Sequence, residues 1–349
     1  MIRRFAFALI SIGILISGCA KLEEVQESRL DIIKRRGELR CGVSGKIPGF
    51  SFLASDGNYQ GLDVDICKAF AAAIIGDPNK VIYRPLTAPE RFTALRTGEI
   101  DILSRNTTMN LSRDSIGGNG VSFGPVVFHD GQALMVSKKS KIKTVEELNN
   151  KNICVGSGTT TEQNLNDFFE ERDIAYTPIK YQDLNQVVAG YLQGRCTAMT
   201  SDKSQLAAAR SSFRFPKKHI ILSQVLSKEP LAPATSGNDE KLTDVVRWTI
   251  YALFAAEEYD ITMDNIDSKV NLARKNQKMM SLRRLFGIDG RLGEKLGIPN
   301  DFVVKIISNT GNYGEIYSRN LGPKSSVKIN RGINSNYKNG GIQISPPFK

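Results

Sequence analysis

Histidine is nearly missing from this chain, with only His129 and His219 among 349 residues. No two of the five cysteines have Cys-x-x-Cys spacing, so a structural or catalytic metal centre lacks the usual ligand set. No Gly-Lys-Ser/Thr follows the glycine-rich segment 156–162, which excludes a phosphate-binding P-loop. Tryptophan occurs once, at Trp248, and aromatic residues do not interleave with basic ones as in nucleic-acid surfaces. There is no low-complexity segment, and only one long apolar run. The sequence therefore calls for no cofactor, no metal and no nucleic-acid partner.

That single apolar run, residues 5–16, follows Arg3 and Arg4 and ends at Ser17-Gly18-Cys19. It is too short to span a bilayer as a stable helix and reads as a secretory signal peptide over residues 1–18. Ile-Ser-Gly-Cys resembles the lipobox of bacterial lipoproteins, which makes Cys19 the expected lipidation site. Ordinary cleavage after Ala20 is the alternative. Export to the periplasm follows from either. The formal charge of +11 falls to +9 without Arg3 and Arg4, and its lysines and arginines are spread along the chain as a solvated face. Setting Cys19 aside leaves Cys41, Cys67, Cys154 and Cys196, an even number in an oxidising compartment, with three possible connectivities.

An apolar fraction of 41% over this length can furnish two cores. After a charged tether with one short helix over 19–36, strands are expected at 37–43, 81–86 and 100–103. Helices at 66–75 and from Pro89 through Leu95 separate them. This is the strand–helix alternation of a doubly wound, mostly parallel α/β sheet. The pattern restarts at 132–137, with strands at 153–155, near Ile179, at 196–199 and at 219–222, and helices between them. Thr144 and Glu147 have capping-box spacing. From Glu229 onward the chain is mainly helical, with a long amphipathic helix over 242–258 and an irregular last stretch. Two α/β units with the second inserted in the first imply two lobes. The first takes 37–131 with 229–349, the second 132–228, and the hinge has two crossings near 131 and 229.

Residues 100–114, Ile-Asp-Ile-Leu-Ser-Arg-Asn-Thr-Thr-Met-Asn-Leu-Ser-Arg-Asp, place a hydroxyl-rich loop and Arg113 after a buried strand. Open α/β sheets bind ligands at such strand ends. A guanidinium suits a carboxylate because it donates bidentately. Gly158-Thr159-Thr160 stands at a helix start, where free N–H groups attract an anion; Thr159 with Glu162 also reads as a simple capping box. Asp202 follows a strand and offers a carboxylate for an ammonium group. A cation with a helix start, opposite an anion, describes an α-amino acid.

Several segments carry a wider resemblance: Arg-Cys-Gly-Val (40–43), Gly-Leu-Asp-Val-Asp-Ile-Cys (61–67), Leu-Ser-Arg-Asn-Thr-Thr (103–108), Leu-Ser-Arg-Asp (111–114), Gly-Thr-Thr-Thr-Glu (158–162) and Ser-Lys-Glu-Pro-Leu (227–231). Across roughly 37–348 the chain resembles the general L-amino-acid-binding proteins of polar amino-acid ABC importers, which have the two-lobed type II periplasmic binding protein fold. The resemblance implies a monomeric, non-enzymatic receptor that takes glutamate-, glutamine- or aspartate-like amino acids to a membrane permease. It implies that Arg113, Thr108 and the helix start at Thr159 and Thr160 hold the α-carboxylate. Asp202 and a carbonyl near Asn106 would hold the ammonium. Arg91 matches an arginine that meets an acidic side chain, with a helix-surface arginine as the other reading. The sequence departs from the family at Ile47, beside Lys46, where an aromatic usually covers the ligand, and at Met109, where close relatives often have Trp. Because such receptors close like a hinge, bonds within each lobe are expected, Cys41–Cys67 and Cys154–Cys196, adding about 3–4 kcal/mol each. Two other functions remain: an exported prephenate-type dehydratase of the same fold, which needs an acid/base pair that the sequence does not supply, and a binding partner of a membrane sensor.

Overall fold

The computed structural model describes residues 27–349. The signal peptide and Cys19 lie outside the described residues. The short helix expected within the charged stretch before residue 37 runs Arg29–Arg36. Ser28 caps its start, Gly37 stops it in a left-handed conformation, and Leu30 and Ile33 are buried in the largest core. An amphipathic turn with two apolar residues on one face gains more by packing than by staying solvated.

The chain folds as two α/β lobes. In the first, Leu39–Val43 pairs in parallel with Val81–Pro85 on one side and Ile102–Leu103 on the other. Ala234–Ser236 and Val121–Phe123 complete this sheet antiparallel. In the second, Tyr176–Tyr181, Lys151–Gly156 and Ala198–Asp202 are parallel, while Phe128–Ser137 and His219–Ile221 run against them. Both sheets are thus mixed: Ala234–Ser236 runs against Ile102–Leu103, and Phe128–Ser137, which leaves the first lobe, runs against Ala198–Asp202. The hinge is such a pair, in which the start of Phe128–Ser137 pairs with Lys228–Leu231.

Two local expectations shift. The helix expected from Pro89 runs Arg91–Arg96, because the Glu90 carboxylate accepts from the Thr87 N–H (2.9 Å) and hydroxyl (2.6 Å) and holds 87–90 as a turn. The strand expected at 196–199 runs Ala198–Asp202, so Asp202 ends the strand rather than following it. Phe50, Phe70, Phe254, Tyr313 and Tyr317 fill the larger core. The last residues return to it, with Phe348 edge-on to Trp248 at 5.1 Å.

Both disulfides lie within a lobe, Cys41–Cys67 joining strand to helix and Cys154–Cys196 joining strand Lys151–Gly156 to the segment just before Ala198–Asp202. Proteolysis of the mature protein without reductant should release these two linked peptide pairs. A Cys41–Cys154 peptide would contradict this arrangement.

Candidate functional site

The loop after Ile102–Leu103 is built to turn polar groups inward. Residues 104–108 are all buried, and Asn106 adopts φ +38°, a left-handed conformation uncommon outside glycine. The Asn106 side-chain oxygen is buried and has no hydrogen-bond partner among the described residues. Asn110 then caps the single turn Leu111–Asp114, its side-chain oxygen accepting from the Arg113 N–H at 3.0 Å. That turn aims Arg113 back into the protein, where its guanidinium donates to the Thr108 carbonyl at 2.7 Å and lies 5.4 Å from the Phe92 ring centre. Arg91 packs against the same ring at 4.8 Å, buried, with Nε unpartnered. A third guanidinium, Arg105, donates to the Leu86 carbonyl at 2.8 Å.

Three guanidiniums crowded out of water are costly without an anion. Burial lowers the pKa of all three, to about 10 for Arg105. For Arg91, burial is joined by the like charges of Arg113 and Arg105. A carboxylate in their midst would relieve that cost.

The second lobe supplies the opposite wall. Thr159 caps helix Thr160–Glu170, its hydroxyl accepting from the Glu162 N–H at 3.1 Å, while Glu162 accepts from the Gly158 N–H at 2.8 Å. The Thr159 hydroxyl is thereby spent on the helix. The Thr160 hydroxyl faces the other lobe, 3.3 Å from that of Thr108. Asp202 is buried, accepts from the Gln205 amide, and has its pKa driven up by burial, then by Asp130 and Glu229. Asp130, held by Ser204, is pushed up to about 6, mainly by burial.

Arg91, Asn106, Thr108, Arg113, Thr159, Thr160 and Asp202 all line one cavity of about 260 Å³ between the lobes. Lys46 and Ile47 line it too, and Lys46 bridges the lobes to Asp183 at 2.8 Å. Met109 does not face the cavity; it is half-buried against the cluster of Leu86 and Phe92.

Two contributors escaped the sequence reading. Arg105 sat inside a quoted motif without a role. Glu229, on the returning hinge strand, collects hydroxyls from both lobes: Thr108, Thr160 (2.8 Å) and Ser227 (2.6 Å), with the Asn164 amide at 2.7 Å. A Glu at a hinge crossing is the signal that could have found it. Glu229→Gln should lower the stability of the ligand-free protein by about 1–3 kcal/mol, since an amide cannot accept from all four donors. Thermal melts would register it, and an unchanged melting temperature would show that the network is dispensable.

The sequence pattern of the bacterial extracellular solute-binding proteins, family 3, matches residues 39–323. The chain is 45% identical to the general L-amino acid-binding periplasmic protein AapJ of Rhizobium johnstonii, over 92% of each chain. It is 41% identical to the glutamate/glutamine/aspartate/asparagine-binding protein BztA of Rhodobacter capsulatus, over 98% of each. Among solved structures, an ABC transporter periplasmic binding protein from Brucella ovis with glutathione bound superposes with a TM-score of 0.87. It is 41% identical, and the match covers 93% of this chain and 100% of that one.

Proposed function

Because the chain belongs to family 3 of the bacterial extracellular solute-binding proteins, we propose that it captures an L-α-amino acid between its lobes and delivers it to the permease of an ABC importer. The observation that carries this reading is the placement of Arg113 and Asp202, one from each lobe, on a single buried cavity. The guanidinium of Arg113 and the start of Thr160–Glu170 would hold the α-carboxylate. Asp202 and the unpartnered oxygen of Asn106 would hold the ammonium. The surplus of Arg91 and Arg105 over what one carboxylate needs favours glutamate- and aspartate-like side chains, or their amides. The glutathione of the Brucella ovis relative carries an ammonium and a carboxylate on one carbon as well, and so fits the same head site.

The protein acts as a monomeric receptor, with lobe boundaries near 131/132 and 228/229. It works in the periplasm, after removal of residues 1–18, and is held to the membrane through a lipid on Cys19. Mass spectrometry of the mature N-terminus tests the last point, and an unmodified terminus starting after Ala20 would remove the anchor. A receptor fits better than a dehydratase, because the carboxylates lining the cavity are engaged: Glu90 by Thr87, Asp183 by Lys46 and Asp202 by Gln205. His129 and His219 do not line it. Calorimetric titration of ligand-stripped protein with the common L-amino acids tests the main proposal; no binding by any of them would refute it.

A further inference from the structure

A second and larger chamber, about 790 Å³, lies in the same cleft and shares Lys46 and Leu184 with the amino-acid cavity. The two chambers meet where Lys46, on the first lobe, bridges to Asp183 at the start of helix Leu184–Leu192 on the second. The chamber's lining is chemically one-sided. It has four cations, Lys46, Arg214, Arg319 and Lys324, and no aspartate or glutamate. Arg319 is already committed to Asp65 at 2.7 Å, and Lys46 to Asp183. Arg214, which lies over the Phe215 ring, and Lys324 have no carboxylate partner among the described residues. Phe52 and Phe213, from opposite lobes, add apolar walls. Such a space suits a short chain that ends in an anion.

We propose that the cleft accepts α-amino acids extended through the side chain, of the γ-glutamyl peptide class. The amino-acid head lies between Arg113 and Asp202, and the terminal carboxylate passes the Lys46–Asp183 bridge to reach Arg214 and Lys324. This rests on the amino-acid reading above. Arg214 and Lys324 are exposed on the chamber wall, and their mutual repulsion falls when an anion enters between them; a terminal carboxylate supplies that anion. The cavity around Arg113 alone, at about 260 Å³, is smaller than usual for a ligand beyond a single amino acid, whereas the two chambers together fall near the upper end of ligand-pocket volumes.

The test titrates ligand-stripped protein with L-glutamate, with γ-glutamyl-alanyl-glycine, and with that tripeptide's C-terminal amide. A tripeptide without a thiol leaves the two disulfides intact. The tripeptide should bind, and its amide about tenfold more weakly. The Arg214→Ala/Lys324→Ala double variant should lose a similar factor for the tripeptide and keep its L-glutamate affinity within about twofold. Three results would overturn the proposal: glutamate binding without tripeptide binding, equal affinity for acid and amide, or full tripeptide affinity in the double variant. If neither glutamate nor any other amino acid binds, the amino-acid reading falls and takes this one with it.

Discussion

Arg113→Ala should abolish measurable amino-acid binding while leaving the fold intact. The Arg113 guanidinium is buried and held by the Thr108 carbonyl and the Phe92 ring, with no carboxylate hydrogen-bonded to it among the described residues. Its charge is therefore available to the ligand. Truncating one partner of a buried charge pair costs roughly 2–5 kcal/mol or more, because the other charge is left without its counterion. That corresponds to a loss of about thirtyfold to several thousandfold in affinity. Stability should move the other way. Arg113 is one of the like charges that, after burial, make ionised Arg91 costly, so its removal eases the ligand-free state. Arg113→Lys should fall between the two, since an ammonium keeps the charge but loses the two-pronged geometry. Calorimetry and thermal melts on the same samples separate the effects. Near-normal affinity in the alanine variant, in protein that melts normally, would show that the site lies elsewhere.

The two-lobed α/β fold could be read from the sequence because strand–helix alternation is a local signal, written in apolar periodicity between glycines. Pairing direction is not local. Whether Ala234–Ser236 runs with or against Ile102–Leu103 depends on a connection through the whole second lobe. The site divides along the same line. Arg113 stands out because a hydroxyl-rich loop follows a buried strand, and the turn that aims it is encoded three residues earlier, at Asn110. Arg105 is not distinguishable from a surface arginine until Asn106 takes its left-handed conformation and the Leu86 carbonyl accepts its N–H. Thr159 admitted two readings, cap or ligand. The cap takes its hydroxyl, and its place on the cavity wall leaves the helix start as the polar element there. Met109 packs against the cluster of Leu86 and Phe92 rather than on the cavity wall, because a residue's position in a motif does not say which side of the loop it faces. Glu229 was invisible as the hub of a hydrogen-bond network between the lobes, since its donors Thr108, Thr160 and Asn164 lie 65 or more residues away in sequence.

Asp202→Asn should cost binding two or more orders of magnitude at neutral pH, and should also remove most of its pH dependence. An ammonium needs the ionised carboxylate, and losing a buried charge partner is again worth about 2–5 kcal/mol. In the ligand-free protein that ionised form is disfavoured by burial first, then by Asp130 and Glu229, so Asp202 holds its proton to a pH well above the ordinary carboxylate range. Binding must therefore displace a proton, and affinity should fall as pH is lowered through the pKa of the free site. Stability of the empty protein follows the opposite course. A carboxyl whose folded pKa is raised contributes stability while protonated, and that contribution is lost as pH rises through the folded value. Asp130, pushed up to about 6, and Asp63, pushed up to about 7 mainly by burial, act in the same sense as Asp202. The ligand-free wild type should therefore melt at higher temperature at pH 5 than at pH 8. Saturating ligand should narrow that difference, because its ammonium stabilises ionised Asp202. In Asp202→Asn the amide cannot ionise, so the empty variant should be more stable than wild type at pH 8. Titrations from pH 5 to 8 in buffers of different ionisation enthalpy report the proton release directly. If affinity and proton release in Asp202→Asn match those of the wild type, the ammonium is held by some other group.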